Sequence, residues 1–210
     1  MLIKVNNINI NYEVYGQGSP IILLHGNQET HEIFDNLIEK LEETHTVYAL
    51  DSRCHGKSDN RKDTIAFIKE LKISKPTFYG FSDGGIIGLL VSIKEPELLS
   101  NLIISGANIS PDVFTTFDML LTKLFYFFTR SKFIKMMLDE PNIPLEDLQK
   151  ISIPVHVLAG EKDVIKLEHT KLIANNIKNS TLEIIKGEKH GSYIIHSDKI
   201  YKIIKKYLED

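Results

Sequence analysis

Tyr79-Gly80-Phe81-Ser82-Asp83-Gly84-Gly85 closes a short β-like run, Thr77-Phe78-Tyr79, and opens an apolar, helix-like one that reaches Lys94 and stops before Pro96. A G-x-S-x-G turn bends a strand sharply into a helix, and the flanking glycines leave room for a strained serine between them. Ser82 is therefore expected to stand above a sheet. The free N–H groups and positive end of the helix beginning at Asp83 would face the place where negative charge develops in acyl transfer. An ordinary turn and a phosphate cradle are the competing readings of such a stretch. The dinucleotide pattern G-x-G-x-x-G is absent, because Ser82 stands where its second glycine belongs. A nucleophile needs a base, an acid and oxyanion donors, so the rest of the chain decides.

Working outward, strands and helices alternate. Residues 2 to 15 alternate apolar and polar and break at Asn6-Asn7, which predicts a two-strand hairpin at a sheet edge. Ile21-Ile22-Leu23-Leu24 is a continuous apolar run that suits a strand buried on both faces, and it ends at His25-Gly26-Asn27. Residues 31 to 44 carry Ile33, Phe34, Leu37, Ile38 and Leu41 at helical spacing, followed by the strand Val47 to Leu50 and a polar loop from Asp51 to Asp59. Residues 62 to 72 read as a short helix before the Ser82 turn, and Leu102 to Ser105 as a strand after it. Residues 108 to 150 break the rhythm with an aromatic, apolar segment. Then Pro154 to Ala159 and Thr181 to Ile185 read as strands, and residues 167 to 177 and 197 to 208 as helices. Eight strands in this order predict an α/β fold: a mainly parallel sheet with helices on both faces and its chemistry at the carboxyl ends of the strands. His25-Gly26-Asn27, Ser82, Asp163 and His190 all fall just after predicted strands, so one edge of one sheet would collect them.

Composition narrows the class. A chain of 210 residues suits one α/β domain, 1–210, burying roughly 70% of the surface that its unfolded form exposes. Hydrophobic content of 42% with charged content of 25% is ordinary for a soluble protein, and a net charge of −3 without a basic patch argues against a nucleic-acid partner. The single cysteine, Cys54, cannot make an internal disulfide, and the N-terminal residues hold no apolar run of signal-peptide length. A cytoplasmic location is the expectation. No H-E-x-x-H pattern occurs and the eight histidines show no ligand spacing, so neither a metal nor another cofactor is expected. Gly56-Lys57-Ser58 matches the end of a phosphate loop, but Asp51 stands where that loop needs its first glycine.

These motifs together resemble the α/β-hydrolase family, in that family's order and over nearly the whole chain. His25-Gly26-Asn27 is similar to its H-G-x oxyanion loop, Asp51 to Ser58 to its D-x-R-G-H-G-x-S loop, and Gly80 to Gly84 to its nucleophile elbow. Gly160-Glu161-Lys162-Asp163 resembles the loop of the triad acid, and Lys189-His190-Gly191 that of the catalytic histidine. The resemblance implies that residues 108 to 150 form a cap inserted after the sixth strand. Cys54 departs from the pattern by replacing a glycine, and the cap and the helix before the elbow are both short. A short cap suggests a small or open pocket.

The chemistry follows from the residue types. Serine is a poor nucleophile at neutral pH, so His190 would take its proton, Asp163 would hold the imidazole, and the backbone N–H groups of Asn27 and Asp83 would bind the oxyanion. Asp51 is a rival acid, better explained as a brace for its loop, and His25, His55, His156, His169 and His196 read as scaffold, strand or helix residues. The expected partner is a small acyl substrate, an ester first of all, with thioesters, amides, acyl transfer and a non-enzymatic receptor role left open. A dehalogenase of this type would need aspartate at position 82.

Two features invite a substrate reading. Asp83 either complements the helix dipole or turns its charge toward a cationic substrate group, such as that of an aminoacyl ester. The stretch that includes Phe114, Phe117, Leu121 and Phe125 either lines an acyl pocket or, if exposed, makes a homodimer contact or touches lipid. It is interrupted by Asp118 and Lys123, so it is not expected to span a membrane, and the chain is expected to be a monomer or a homodimer.

Overall fold

The computed structural model describes residues 1–51, 60–113 and 116–208. Two short strands, β1 (Leu2–Val5) and β2 (Ile8–Tyr15), pair antiparallel through a two-residue loop in which Asn6 and Asn7 take φ of 47° and 64°. Both values are left-handed, as the twisted hairpin turn requires, and asparagine tolerates them better than most residues. The chain then alternates through β3 (Ser19–Leu24), a 3-10 turn at His31–Phe34, α1 (Asp35–Leu41), β4 (His45–Leu50), α2 (Asn60–Glu70), β5 (Thr77–Phe81), α3 (Asp83–Lys94) and β6 (Asn101–Ser105). An insertion follows, with α4 (Thr116–Thr129), α5 (Lys132–Asp139) and α6 (Leu145–Leu148), and then β7 (Val155–Lys162), α7 (Leu167–Asn175), β8 (Ser180–Lys189) and α8 (Lys199–Ile204).

All eight strands form one sheet in the order β1-β2-β4-β3-β5-β6-β7-β8, parallel from β4 to β8 and antiparallel at the two β2 pairings. The expected architecture is present, with the cap inserted after the sixth strand. Successive strand residues point to opposite faces, so the apolar runs feed two cores. Ile22, Leu24, Phe78, Leu102, Ile104 and Val157 face one way and pack with α2, α3 and α7 through Phe67, Leu89 and Ile173. Ile21, Leu23, Val47, Tyr79 and Ile103 face the other way and pack with α1 and α8 through Leu37, Leu41, Ile200 and Ile204.

The boundaries shift where local pattern was weakest. The helix expected over 31 to 44 divides into the 3-10 turn and α1, which ends at Leu41. β7 and β8 run on to Lys162 and Lys189, past the expected ends at Ala159 and Ile185, because the pair continues as a mostly exposed ribbon of polar residues with a bulge between Gly160 and Lys162. Apart from Asp51, the loop expected to resemble D-x-R-G-H-G-x-S, including Cys54 and His55, lies outside the described residues, as does Phe114.

Strand order reverses between β3 and β5: the chain winds from β3 toward β4 on one side and from β5 toward β6 on the other. Such a switch point leaves a crevice at the carboxyl ends of the two strands. α3 packs so closely there that a Cβ on Gly84 would lie 2.1 Å from the Leu24 carbonyl oxygen and 2.8 Å from that of His25. Both obstacles are backbone, so neither can rotate away. Gly84→Ala should therefore push α3 off β3 and destabilise the fold by about 2–4 kcal/mol. A urea denaturation midpoint equal to that of the wild type would show that α3 can slide without cost.

Candidate active site

The parallel register brings the candidate residues together. Leu24 pairs with Gly80, so two residues further along, Gly26 stands beside Ser82; a Cβ on Gly26 would lie 3.1 Å from that of Ser82. Phe81 pairs with Ser105, and the Ser82 N–H donates to the Ser105 carbonyl at 2.8 Å. Lys162 pairs with Lys189, which places the next residues, Asp163 and His190, side by side. Five strand ends thus meet at one edge of the sheet.

Ser82 takes φ 51° and ψ −116°, a left-handed conformation outside the regular basins. Its carbonyl accepts the Gly85 and Ile86 N–H groups at 2.9 and 3.1 Å, which starts α3 at once. The His190 Nε2 stands 3.2 Å from Ser82 Oγ, and His190 Nδ1 stands 2.7 Å from Asp163 Oδ1. The carboxylate end fixes the tautomer: Nδ1–H donates to Asp163, leaving Nε2 to accept the serine O–H. The Asp163 side chain is fully buried, whereas that of His190 is 24% exposed. Asp163 Oδ1 also accepts the Ile165 N–H at 2.9 Å, so the carboxylate is held from its own loop. Gly106, at φ 61°, backs the ring: a Cβ there would sit 2.6 Å from His190 Cε1.

Asp83 follows Ser82 directly, and Asn27 follows Gly26, which stands beside Ser82. Asp83 opens α3, where the first N–H groups have no partner within the helix and can serve an oxyanion. The Asn27 side chain adds something that its expected backbone role did not foresee: both polar atoms of its amide are buried without a hydrogen-bond partner among the described residues.

Burial pushes the Asp83 carboxyl up to about 6, against a smaller opposite pull from His190. Glu29, which sequence reasoning did not single out, is a third carboxylate at the site. It accepts the Gly26 N–H at 3.0 Å. Burial pushes its carboxyl up; the Gly26 N–H and His190 pull it down, and the Asp83 charge raises it again. Its one signal in the sequence is its place three residues after Gly26, which no spacing rule marks.

The remaining candidates fall where their local setting puts them. Asp51 braces loops: its carboxylate accepts the His31 N–H at 2.9 Å, His31 Nδ1 at 2.7 Å and the Asn11 amide at 2.7 Å. His25 is fully buried, with Nδ1 donating to the Gly26 carbonyl at 2.8 Å. His156 lies in β7, and His169 lies on α7, where its Nε2 accepts the Ile109 N–H at 3.0 Å. Burial, with the Lys166 charge, holds the His169 imidazole down at about 4, as an acceptor requires. Leu121 and Phe125 are exposed and line an open groove of about 440 Å³ on α4 and α5, together with Thr122, Leu124, Phe128 and Ile134. Phe117 lies on α4.

The model of the α/β-hydrolase fold family matches residues 19–134, more than half of the chain. The chain belongs to the α/β-hydrolase family. Human serine hydrolase BPHL is 24% identical to this hydrolase-family chain over 251 residues, covering 99% of the chain and 85% of the relative. A pimeloyl-[acyl-carrier protein] methyl ester esterase from Vibrio campbellii is 26% identical over 130 residues, 54% of this chain and 51% of that enzyme. Among solved structures, Est816, described as an N-acyl homoserine lactone degrading enzyme, superimposes with a TM-score of 0.79 at 22% identity, covering 99% of this chain and all of that one. An enol-lactonase from Burkholderia xenovorans LB400 gives a TM-score of 0.79 at 16% identity, with complete coverage of both chains.

In this α/β-hydrolase chain the raised Asp83 carboxyl has a consequence for stability. Its folded value of about 6 lies above the ordinary 3.8, so the native state holds a proton that the unfolded state releases between those two values. Stability therefore falls as pH rises from about 4 to 6 and stays lowered above that, by about 3 kcal/mol at full ionisation. Asp83→Asn removes the charge and should raise the unfolding free energy at neutral pH by about 1–3 kcal/mol, with the gain vanishing near pH 4. Denaturation of both proteins across that range checks it; a pH-independent difference would remove the charge as the cause.

Proposed function

We propose that the chain is a serine hydrolase that cleaves small carboxylic esters or related acyl compounds through an acyl-enzyme. The observation that carries this is the unbroken relay from Ser82 Oγ through His190 to Asp163, with steps of 3.2 and 2.7 Å and its acid fully buried. The names of the relatives support it: a serine hydrolase, a methyl ester esterase and, among the structures, enzymes acting on lactones, which are cyclic esters.

In this reading Ser82 Oγ bonds to the acyl carbon as its proton passes to His190 Nε2, and the imidazolium is held by Asp163. The N–H groups of Asn27 and Asp83 receive the oxyanion, each such donor being worth about 2.7–4 kcal/mol. His190 then protonates the leaving alcohol as its C–O bond breaks. Water repeats the sequence and frees the acid. The same steps serve thioesters, amides or transfer to another acceptor, and a probable alcohol acetyltransferase from Cyberlindnera jadinii and ethanol acetyltransferase 2 from Hanseniaspora uvarum match 41% and 40% of the chain at 31% and 33% identity. The whole chain acts as one unit in this proposal, with residues 108 to 150 as its cap.

Labelling by a fluorophosphonate probe and turnover of short p-nitrophenyl esters test the proposal. Ser82→Ala and His190→Ala should each abolish labelling and lower kcat by on the order of 10⁴–10⁶. A wild type that resists the probe and turns over no ester would overturn it, in favour of a pocket that holds a ligand without cleaving it.

The buried Asp83 favours one refinement: an acyl group carrying a cation, such as the ammonium of an aminoacyl ester. Such a cation would lift the penalty on the Asp83 charge, and Glu29 would reinforce the attraction. Asp83→Asn should then lower kcat/KM for a cationic ester by about tenfold or more relative to its neutral analogue. Equal losses on both would leave Asp83 to the helix dipole alone.

A further inference from the structure

The cap presents an apolar surface that the core does not bury. On α4, Leu120, Leu121, Leu124, Phe125, Phe127 and Phe128 are all exposed, Phe128 at 74% and Leu120 at 64%. At the helical advance of about 100° per residue these six fall within an arc about 160° wide, and Lys123 and Arg130 stand together along one edge of it. The Arg130 guanidinium lies over the rings of Tyr126 and Phe127, 5.5 and 5.4 Å from their centres, so its stem covers apolar surface while its charge stays at the rim. α4 packs on α5, and their residues form the two walls of the open groove.

Charge decides what such a face fits. The sequence from Met119 to Leu138 contains Lys123, Arg130, Lys132 and Lys135 and no aspartate or glutamate, although the whole chain carries −3. Asp118 and Asp139 bound the segment, and Lys135 is paired with Asp139. A second copy of the chain is a poor occupant, because a two-fold contact sets the same patch against itself and would oppose cation to cation. Nor does the segment cross a bilayer: among the described residues no helix is long and apolar enough. A wide apolar stripe with cations at its edge is the arrangement of a helix that lies in a membrane interface, its aromatic and aliphatic side chains among the acyl chains and its cations among the headgroups.

We propose that the α4–α5 face docks on the surface of a bilayer carrying anionic lipid headgroups. The acidic remainder of the chain would be repelled by the same surface, so charge orients the protein with its cap down. The inference does not depend on the hydrolase reading, and the catalytically silent Ser82→Ala protein serves for its test.

The experiment is flotation of this protein with vesicles of phosphatidylcholine alone and of equal parts phosphatidylcholine and phosphatidylglycerol, at low and high salt. The protein should float with the mixed vesicles at low salt, be released by high salt, and stay behind with phosphatidylcholine alone. Each of Lys123→Gln and Arg130→Gln should weaken binding to the mixed vesicles about fivefold. The pair Phe127→Ser and Phe128→Ser should weaken it about tenfold or more, with an unchanged thermal midpoint because both side chains are already exposed. Absence of flotation, equal flotation on both vesicles, or flotation untouched by the serine pair would overturn the proposal. So would a dimer in light scattering that the serine pair dissolves, without vesicle binding, which would give the face to a second copy.

Discussion

The structure turns on one residue held where serine does not rest by itself. A non-glycine backbone in so sparsely populated a region costs about 1–3 kcal/mol, and it persists only where its surroundings leave no alternative. Around Ser82 those surroundings are specific. Its N–H is tied to β6, its carbonyl to the first turn of α3, and a Cβ on Gly80 would lie 2.4 Å from the Gly84 carbonyl oxygen. Further along α3, a Cβ on Gly88 would come within 2.7 Å of Leu102 Cδ1, so the helix lies low on β5 and β6. The fully buried strands beneath it supply the packing that holds the strained turn in place.

The charge arrangement around His190 extends the same logic. Asp163 lies behind the ring, and Asp83 and Glu29 act on it electrostatically. In the proposed reaction an imidazolium formed when Ser82 gives up its proton would be favoured by all three, and that charge would exist only once reaction has begun. The oxyanion of the same step would be opposed by the charges of Asp83 and Glu29. Under the proposed function a cation on the acyl group, or a proton on Asp83, would relieve that opposition, so these carboxylates would discriminate between substrates where a neutral site would not.

Much of this was legible before any coordinates. The alternation of strands and helices, the hairpin break at Asn6-Asn7 and the placement of Ser82, Asp163 and His190 after strands all rest on short-range pattern, and the register of a parallel sheet does the rest. Glu29 was not legible, because it acts through a loop that folds back on Gly26, and nothing local in His25-Gly26-Asn27-Gln28-Glu29 announces that return. The polar ribbon that lengthens β7 and β8 escaped for a related reason: exposed strands carry no apolar signal. The cap was ambiguous because Phe114 to Phe128 is largely apolar, and local pattern does not decide whether side chains such as Leu121, Phe125 and Phe128, which the fold leaves exposed, turn inward or outward.

The relatives show where freedom lies. Chains with 16–22% identity share this fold at a TM-score of 0.79, so the fold tolerates replacement of most of its residues. Selectivity must then come from what surrounds the strand ends. Here three costs appear at the strand ends: the strained backbone of Ser82, the desolvated charge of Asp83 and the Asn27 amide, buried without a partner among the described residues, the last worth about 1–3 kcal/mol by itself. None of them helps the chain fold. Under the proposed acyl chemistry each would be relieved by a group that the substrate brings, whether a tetrahedral carbon, a cation or a hydrogen-bonding oxygen, so stability given up by the fold would reappear as affinity for the reacting substrate.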